Sequence, residues 1–277
     1  MKTKTYVITG SASGIGKELV KKLAADNVIF AGYRNKLHES ELKLISPNVF
    51  PFYVDYSKPE TIKEATDYIL SKCTKIDTLV NIAGCVVGGP VENVDMNEVR
   101  RQFDVNVFGH LELSQNLIPV LSDGRIINVS SMASFGLFPF IAPYAASKRC
   151  LDMFFNNFLM ENKKNIKVIS IKPGIITTPL WGKSIDDNSK FYDNYSDYSE
   201  EMKYVIANAQ RNSVRGLPPD RVADVIIKAD RAKKPKLSYT VGGDALLAKY
   251  VAMLPQNVIN SIVKAGIRIK IFKNKKV

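Results

Sequence analysis

Tyr144 and Lys148 stand four positions apart in the stretch YAASK. If this segment is helical, both side chains lie on one face, with Cβ atoms roughly 5–6 Å apart. A phenol beside an ammonium can act as a proton-transfer pair, because the positive charge favours the phenolate. An amphipathic helix whose lysine extends to solvent explains the same pair. The spacing alone leaves both interpretations open.

A glycine-rich turn near the N-terminus has the composition of a phosphate-binding loop. Residues 9–16 read TGSASGIG and lie between a predicted strand and a predicted helix. Glycines permit a tight turn and a close approach of the backbone to a pyrophosphate, and the free N–H groups of the helix start point at that anion. The spacing G-x-x-x-G-x-G differs from G-x-G-x-x-G, so the strand–loop–helix context carries much of the argument. A turn without a ligand is the alternative.

The end of the second predicted strand should indicate which dinucleotide this loop binds. Enzymes that use NAD usually carry a carboxylate there, which binds the ribose hydroxyls. This chain has Gly32, Tyr33, Arg34 and Asn35 at that point, and none of them is acidic. The guanidinium of Arg34 suits a 2′-phosphate, so we expect NADP(H) rather than NAD(H). A surface arginine without a ligand is the alternative.

Short apolar segments alternate with helical segments along most of the chain. Strands that are apolar on both faces, each followed by a helix, are typical of a parallel sheet covered on both sides. We therefore predict an α/β fold with a doubly wound parallel sheet of about seven strands, a Rossmann fold. The predicted strands are 5–10, 27–33, 48–56, 75–84, 124–131, 165–174 and 236–242, and the predicted helices are 14–26, 58–72, 95–121, 143–163 and 219–230.

The alternation also indicates how the chain is divided. Residues 1–245 form one predicted dinucleotide-binding catalytic domain, and residues 246–277 form a basic helical C-terminal extension. Within the domain, residues 179–215 are polar and rich in tyrosine, and they break the alternation. A break of this length in a compact domain is often functional, so we expect a mobile substrate lid with one helix.

Composition places the chain among ordinary globular proteins and limits its function. Of its 277 residues, 45% are hydrophobic and 24% are charged, which allows a sizeable core. Three scattered cysteines without metal-ligand spacing suggest a reducing, cytoplasmic compartment. The sequence shows no signal-peptide pattern and no apolar stretch near the ~20 residues that a membrane span requires. The net charge of +12 is concentrated in residues 228–277, which hold 12 basic and 2 acidic residues.

Several motifs occur together in a characteristic order. They are Thr9-Gly10-x-x-x-Gly14-Ile15-Gly16, Asn81-Ile82-Ala83-Gly84, Asn106, Ser131, Tyr144-x-x-x-Lys148 and Pro173-Gly174. On these motifs the chain resembles the classical short-chain dehydrogenase/reductase family over about residues 3–245. Each motif is modest by itself, but the ordered set is specific. The finer match, to the hydroxysteroid and retinol dehydrogenase branch, is weaker.

The resemblance assigns a catalytic role to four residues. Tyr144 matches the general acid/base. Lys148 matches the residue that lowers the tyrosine pKa and holds the nicotinamide ribose. Ser131 matches the serine that hydrogen-bonds the substrate oxygen, with Ser130 as its competitor, and Asn106 matches the residue that anchors a water in the proton relay. No metal is expected.

The resemblance also implies a set of cofactor-binding residues. Asp55 matches the acid that meets the adenine amino group, and Thr178 matches a residue that contacts the carboxamide, although Thr177 remains an alternative. Asn81 and Gly84 match a motif that lines the adenosine side and stabilises the central sheet. The full expected set is Gly10, Ser13, Gly14, Ile15, Gly16, Arg34, Asp55, Asn81, Ala83, Gly84, Tyr144, Lys148, Pro173, Gly174, Ile176 and Thr178.

The residues before Tyr144 indicate what kind of substrate to expect. Residues 135–141 read FGLFPFI and are strongly apolar, so we expect Phe138, with Leu180 and Trp181, to bind the substrate beside Ser131 and Tyr144. An apolar pocket favours a lipophilic ketone, aldehyde or secondary alcohol over a sugar. The resemblance implies a steroid- or retinoid-like molecule. Core packing beneath a loop is the alternative explanation of FGLFPFI.

The basic C-terminal extension admits more than one partner. Two helical pieces divided at Pro255 are expected, and the second, within 256–277, carries an apolar stripe beside basic residues. Such a helix can make peripheral contact with a membrane. Packing on its own body or on a partner subunit is the alternative that we favour, and the family commonly forms homodimers or homotetramers. Nucleic-acid binding is not expected, because no reader motif is present.

The leading hypothesis is an NADP(H)-dependent oxidoreductase that transfers a hydride between the nicotinamide and a carbonyl or alcohol. A second hypothesis is a binding protein that senses NADP(H) without turnover. A third is a scaffold at a membrane surface that uses the basic extension. The presence of Asn106, Ser131, Tyr144 and Lys148 together favours the enzyme, since a sensor does not need a proton relay.

Overall fold

A computed structural model describes residues 3–121, 123–189 and 192–274. Seven parallel strands form one sheet in the order β3-β2-β1-β4-β5-β6-β7. In the sheet, Val7 of the first strand lies opposite Phe30 of the second and Leu79 of the fourth. The strands are β1 (Thr5–Ile8), β2 (Val28–Tyr33), β3 (Val49–Tyr53), β4 (Thr78–Asn81), β5 (Arg125–Val129), β6 (Lys167–Pro173) and β7 (Ser238–Val241). The predicted doubly wound fold is confirmed.

Helices cover both faces of this sheet. Their bounds are α1 (Gly14–Leu23), α2 (Glu39–Lys43), α3 (Pro59–Leu70), α4 (Met96–Phe103), α5 (Gly109–Leu117), α6 (Ala142–Glu161), α7 (Leu180–Ser189), α8 (Ser199–Arg215), α9 (Pro219–Arg231), α10 (Gly243–Val251) and α11 (Gln256–Asn274). Among the residues described, no helix has both the length and the apolar composition needed to cross a membrane.

Alternate side chains of β1 enter two separate cores, which explains why the strand is apolar on both faces. Ile8 packs on one side with Leu19 of α1, in the core that also contains α9. Val7 packs on the other side with Leu113 of α5, in the core that also contains α3 and α6. Each fully buried aliphatic side chain contributes about 1.5–3 kcal/mol, so both faces stabilise the sheet.

The structure differs from the predicted elements at three places. The single helix predicted over 95–121 is broken into α4 and α5 by a π-helical turn at Asp104–Phe108. The segment 179–215 contains α7 and α8 joined by a 3₁₀ segment, rather than one helix, and its residues 190–191 lie outside the described ranges. The short α2 was not predicted. Local apolar periodicity does not report a π turn, which arises from hydrogen bonding, or a helix of one turn.

The C-terminal extension contains most of α10 and the whole of α11, and Pro255 lies between the two helices as predicted. Helix α11 packs against α8, and Ile259 on α11 is buried. At least part of the extension therefore packs on the body of its own chain. Residues 275–277 of the predicted 256–277 helix lie outside the described residues. Whether 1–245 is a separate domain from this extension stays a prediction.

The strand order reverses between β1 and β4. Chain segments leave these neighbouring strands in opposite directions, which opens a crevice at the carboxyl ends of the strands. In open α/β sheets ligands bind at this point. We therefore expect a ligand site among the loops that follow β1, β2, β4, β5 and β6.

Candidate active site

A cavity of about 520 Å³ lies at the carboxyl ends of the strands, at the reversal of strand order. Its volume is typical of a ligand site. It brings together most of the predicted residues from loops far apart in sequence. The predicted residues that line it are Gly10, Ser13, Gly14, Ile15, Arg34, Asp55, Ala83, Gly84, Ser131, Phe138, Tyr144, Lys148, Pro173, Gly174, Ile176, Thr178, Leu180 and Trp181.

The glycine loop is shaped by backbone conformations that side chains disfavour. Gly10 and Gly14 have φ values of +66° and +52°, in the left-handed region. A Cβ at Gly10 would lie 2.9 Å from the Ala83 backbone nitrogen, and one at Gly14 would lie 3.0 Å from the Thr178 Cγ2. A Cβ at Gly16 would lie 2.2 Å from the Gly10 carbonyl oxygen. These glycines therefore let the loop approach the strands, and they fit a dinucleotide at the start of α1.

Thr9 fixes the position of this loop, a role that its motif alone did not reveal. Its hydroxyl oxygen accepts hydrogen bonds from the backbone N–H groups of Ile82, at 2.9 Å, and Ala83, at 3.2 Å. The Ser11 N–H donates to the Gly32 carbonyl oxygen over 2.8 Å. The loops after β1, β2 and β4 are thereby held together as one wall of the cavity.

Arg34 lies in the cavity wall just after β2 and is exposed. Glu39, the nearest acid that follows along the chain, does not line the cavity and is bound by the Tyr33 hydroxyl and by Lys43, each at 2.6 Å. Asp55 lines the cavity and accepts hydrogen bonds from the N–H and the hydroxyl of Ser57. The wall after β2 therefore offers a cation rather than a carboxylate.

The first turn of α6 and the end of β5 bring Tyr144, Ser131 and Lys148 together. The hydroxyls of Tyr144 and Ser131 are hydrogen-bonded, and the Ser131 hydroxyl oxygen also accepts from the Ala133 N–H over 3.1 Å. The Lys148 ammonium donates to the Val129 carbonyl oxygen over 3.0 Å and lies 5.9 Å from the centre of the Tyr144 ring. All three side chains are buried. This cluster can donate or accept a proton inside the cavity.

Burial sets the proton affinities of the cluster. Desolvation raises the pKa of Tyr144 above its ordinary value, and the hydrogen bond from Ser131 opposes that rise. Desolvation lowers the pKa of Lys148 to about 8. The pKa of Tyr144 was expected to be lowered, but in the chain alone it is raised, because the effect of burial is larger than that of the hydrogen bond. Burial also makes Lys148 easier to deprotonate.

The family model for short chain dehydrogenases matches residues 4–189. The chain belongs to the short-chain dehydrogenase family. It is 30% identical over 270 residues to an NADPH-dependent 3-dehydrocapnine reductase of Ornithobacterium rhinotracheale, covering 92% of this chain and 94% of the relative.

One further relative and one solved structure are also similar to this chain. A mouse estradiol 17-beta-dehydrogenase 2 is 31% identical over 287 residues, covering 95% of this chain and 74% of the mouse protein. A crystal structure of a short-chain dehydrogenase from Streptomyces avermitilis matches with a TM-score of 0.76 and 23% identity, and the match covers 97% of each chain. At that identity the crystal structure supports the fold alone.

Asn106 of this short-chain dehydrogenase lies behind the cavity rather than in its lining. It sits in the π turn, where its amide donates to the Cys85 carbonyl oxygen at 2.9 Å and the Ser147 hydroxyl at 3.0 Å. The side-chain oxygen of Asn106, Oδ1, accepts a hydrogen bond from the Cys85 backbone N–H at 2.8 Å. The Ser147 hydroxyl in turn donates to the Tyr144 carbonyl oxygen at 2.8 Å. Asn106 thus ties the loop after β4 to α6, and the predicted water-anchoring role remains untested.

Two other predicted residues of the dehydrogenase lie outside the lining. The Asn81 amide donates to Asn128 over 2.8 Å and to Ser114 over 3.3 Å, so it joins β4 to β5 and α5 inside the protein. This position agrees with its sheet-stabilising role and not with contact to the adenosine. Gly16 is in contact with Gly10 within the loop. Sequence matching does not separate residues that face a ligand from residues that hold the wall in place.

The structure distinguishes Thr178 from Thr177 and Ser131 from Ser130, each pair by a different observation. Thr178 lines the cavity, whereas the Thr177 hydroxyl donates to the Gly216 carbonyl oxygen over 2.9 Å and is not part of the lining. Ser130 and Ser131 both line the cavity. The Ser131 hydroxyl is hydrogen-bonded to Tyr144, whereas the Ser130 hydroxyl donates to the Lys148 carbonyl oxygen over 3.4 Å. The geometry favours Thr178 and Ser131.

His110 has a structural role and does not line the cavity. Its Nε2 lies 2.7 Å from the Ala83 carbonyl oxygen, and its ring packs edge-on against Tyr56. Burial lowers its pKa to about 3, so the ring is neutral and its Nε2–H donates to Ala83. In the described residues no group of histidine, cysteine and acidic side chains is placed to hold a metal ion.

Proposed function

We propose that the protein is an NADP(H)-dependent oxidoreductase that transfers a hydride between the nicotinamide and a lipophilic carbonyl or alcohol. The observation that carries the proposal is the buried cluster of Tyr144, Ser131 and Lys148 in the cavity beside the glycine loop. A proton donor, a second hydroxyl and a cation at one point are the groups that carbonyl reduction requires.

The residues have distinct tasks in the proposed reduction. When bound in this cavity, a dihydronicotinamide would supply the hydride for the carbonyl carbon. As the carbonyl oxygen gains negative charge, Tyr144 donates its proton to that oxygen while the Ser131 hydroxyl stabilises it. Lys148 stabilises the resulting phenolate, which recovers a proton from solvent. A positioned acid contributes about 10²–10⁴-fold to the rate of such a reaction.

We assign NADP(H) to the site because of Arg34. Its guanidinium lies in the cavity wall after β2, where an NAD-dependent enzyme usually carries an acid. A guanidinium forms paired hydrogen bonds with a phosphate, which only NADP(H) carries at the 2′ position. The NADPH-dependent relative from Ornithobacterium supports the same cofactor.

A lipophilic substrate is proposed from the side chains around Tyr144. Phe138, Ile141, Leu180 and Trp181 form an apolar cluster with Tyr144 and Ala133. An apolar wall at the reacting hydroxyl favours a substrate that is itself apolar. The names of the two relatives, a 3-dehydrocapnine reductase and an estradiol 17-beta-dehydrogenase, describe reactions at a carbonyl or alcohol.

We also propose a homo-oligomer in a reducing, cytoplasmic compartment. Phe108, Met153 and Phe154 are large apolar residues with 49%, 53% and 41% of their surface exposed. They lie on the π turn and on α6, which are elements that the family commonly uses between subunits. Cys73, Cys85 and Cys150 are free thiols, in agreement with a reducing compartment.

Oxidation of NADPH in the presence of a panel of carbonyl compounds tests the function. We expect turnover that falls by at least about a hundredfold in Tyr144→Phe, because the variant lacks the proton donor but keeps the ring. Tyr68→Phe, on α3 away from the cavity, is the matched control and should retain activity. Full activity in Tyr144→Phe would exclude the mechanism, whereas NADPH binding without turnover of any carbonyl would favour the sensing protein.

A further inference from the structure

A second cavity, of about 420 Å³, opens beside the first one. The two cavities share four lining residues, Met132, Phe138, Ile141 and Trp181. These residues also surround Tyr144, so the second cavity begins where a substrate carbonyl would be reduced. It is separate from the space assigned to the cofactor, because the glycine loop and Arg34 line only the first cavity.

The far wall of the second cavity is built by two helices from the C-terminal half of the chain. Helix α8 contributes Met202, Val205 and Ala209, and helix α11 contributes Val263, Gly266 and Ile267. The two helices pack against each other. The C-terminal extension therefore helps to enclose a space that adjoins the cavity containing Tyr144. A helix that only contacted a membrane surface would not need to do so.

The lining of this second cavity is poorly suited to a polar ligand. Ser184 and Asn188 donate hydrogen bonds to the Val86 carbonyl oxygen, each over 3.1 Å, so their donors are already used by the protein. The other polar lining residues, Glu201, Tyr204, Asn208 and Asn212, all belong to α8. The rest of the wall is largely aliphatic and aromatic.

The junction between the cavities is apolar. Four large apolar side chains, those of Met132, Phe138, Ile141 and Trp181, line both spaces. A linear alkyl chain can follow the apolar wall from one space into the other by rotating about its single bonds. A fused ring system is rigid and has no such freedom.

We propose that the second cavity binds the alkyl chain of a long linear ketone whose carbonyl lies at Tyr144, and that Gly266 of α11 sets the length of chain it accepts. This inference rests on the proposed reductase function and specifies its substrate class. Burial of each methylene contributes about 0.8 kcal/mol, which converts to a rise of up to about fourfold in kcat/KM for each carbon that enters.

Gly266 offers a direct way to shorten the cavity. A Cβ built at Gly266 meets no heavy atom within 4 Å, so a larger side chain would extend into open space without a clash. Leucine is also a better helix former than glycine, so Gly266→Leu should not destabilise α11. Ala265→Leu is the matched control, because Ala265 is exposed on the same helix and does not line the cavity.

The experiment measures kcat/KM with NADPH for linear methyl ketones of increasing chain length and for a steroid ketone. In the wild type we expect kcat/KM to rise with chain length to a plateau. In Gly266→Leu the long ketones should lose about tenfold or more while short ketones are unaffected, and Gly266→Ala should shift the plateau less. Ala265→Leu should match the wild type, and circular dichroism should show unchanged helix content.

The possible results separate the inference from the function on which it rests. Equal rates for short and long ketones, a preference for the steroid, or an equal loss on all ketones in Gly266→Leu would each overturn the inference while leaving a ketone reductase. If no carbonyl compound is reduced by the wild type, the proposed function itself fails.

Discussion

At the scale of single residues, the proposed mechanism assigns the reaction to one group and the adjustment of its proton affinity to two others. Tyr144 is buried and its pKa is raised, so it holds its proton firmly until charge develops on a substrate oxygen. Ser131 is hydrogen-bonded to it, and Lys148 is the cation beside its ring. Proton transfer therefore depends on the charge of Lys148 as well as on the position of Tyr144.

The first residue-scale prediction concerns pH. Lys148 has a pKa of about 8, so its ammonium form is present below that pH and is lost above it. Since the phenolate needs the cation, kcat/KM for ketone reduction should be constant at lower pH and fall as pH rises through about 8. A pH profile of NADPH oxidation measures this, and a rise across the same range would contradict the assigned role.

Lys148→Met provides the matching variant. It should remove this pH dependence, reduce kcat/KM by about 10²-fold or more and weaken NADPH binding, measured by fluorescence titration. Lys163→Met, an exposed lysine just beyond α6, is the control. If only one of the two measured properties changes, Lys148 does not have a dual role.

The second residue-scale prediction concerns cofactor choice. Arg34→Ala removes the guanidinium that lines the cavity just after β2, and a charge-assisted hydrogen bond is worth about 1.5–3 kcal/mol. We expect the ratio of kcat/KM for NADPH to that for NADH to fall by about tenfold or more, with kcat/KM for NADH little changed. Arg100→Ala, on the exposed end of α4, is the control. An unchanged ratio would refute the assignment of NADP(H).

At the scale of elements, the interrupted helix between α4 and α5 supports the active site. Its π turn turns Asn106 toward Cys85 and Ser147, and one turn later α5 places His110 against Ala83. Both contacts hold the loop after β4 beside the cofactor cavity. A π turn at such a position is a recurrent feature of functional sites.

The element-scale prediction follows from the neutral state of His110. Its folded pKa of about 3 lies below the unfolded value near 6.5, so the unfolded chain binds more protons between these values. The contribution of neutral His110 to the free energy of unfolding is complete above pH ~6.5 and is lost as pH falls. Between pH 7 and 5 this lowers the free energy of unfolding by about 2 kcal/mol. Urea unfolding at both pH values measures it.

His110→Gln is the comparison for this measurement, because glutamine keeps a donor for Ala83 and does not titrate. The unfolding free energy of the variant should fall less between the two pH values than that of the wild type. Equal losses in both proteins would mean that His110 is not neutral in the folded state.

At the scale of the whole molecule, several large apolar side chains are exposed. Phe108 on the π turn and Met153 and Phe154 on α6 are among them. Exposed apolar patches mark interfaces. An assembly that covers these side chains would also hold α6, and with it Tyr144 and Lys148, in place.

The whole-molecule prediction is a solution mass of a dimer or tetramer, measured by light scattering after gel filtration. Phe154→Glu places a charge on the surface and should reduce that mass, because an unpaired charge is costly to bury in an interface. Lys163→Met provides the control on a nearby exposed position. A monomeric wild type would contradict the proposed oligomer.

Much of the fold could be predicted from the sequence because its signals are local. The seven strands are short apolar runs, and their alternation with helices requires a parallel sheet covered on both faces. The glycine loop could also be predicted, because its backbone conformation disfavours residues with a side chain. Tyr144 and Lys148 were found because one helical turn brings residues four apart together.

Tertiary structure alone decided which of these residues meet, and what surrounds them. Burial, which depends on contacts from the whole chain, raised the pKa of Tyr144 where its neighbour in sequence predicted a fall. Asn81 and Asn106 turned out to hold the walls, because side-chain direction is set by packing across strands and helices. The cavity closed by α11 depends on the meeting of segments more than a hundred residues apart, and no local pattern in a sequence records such a distance.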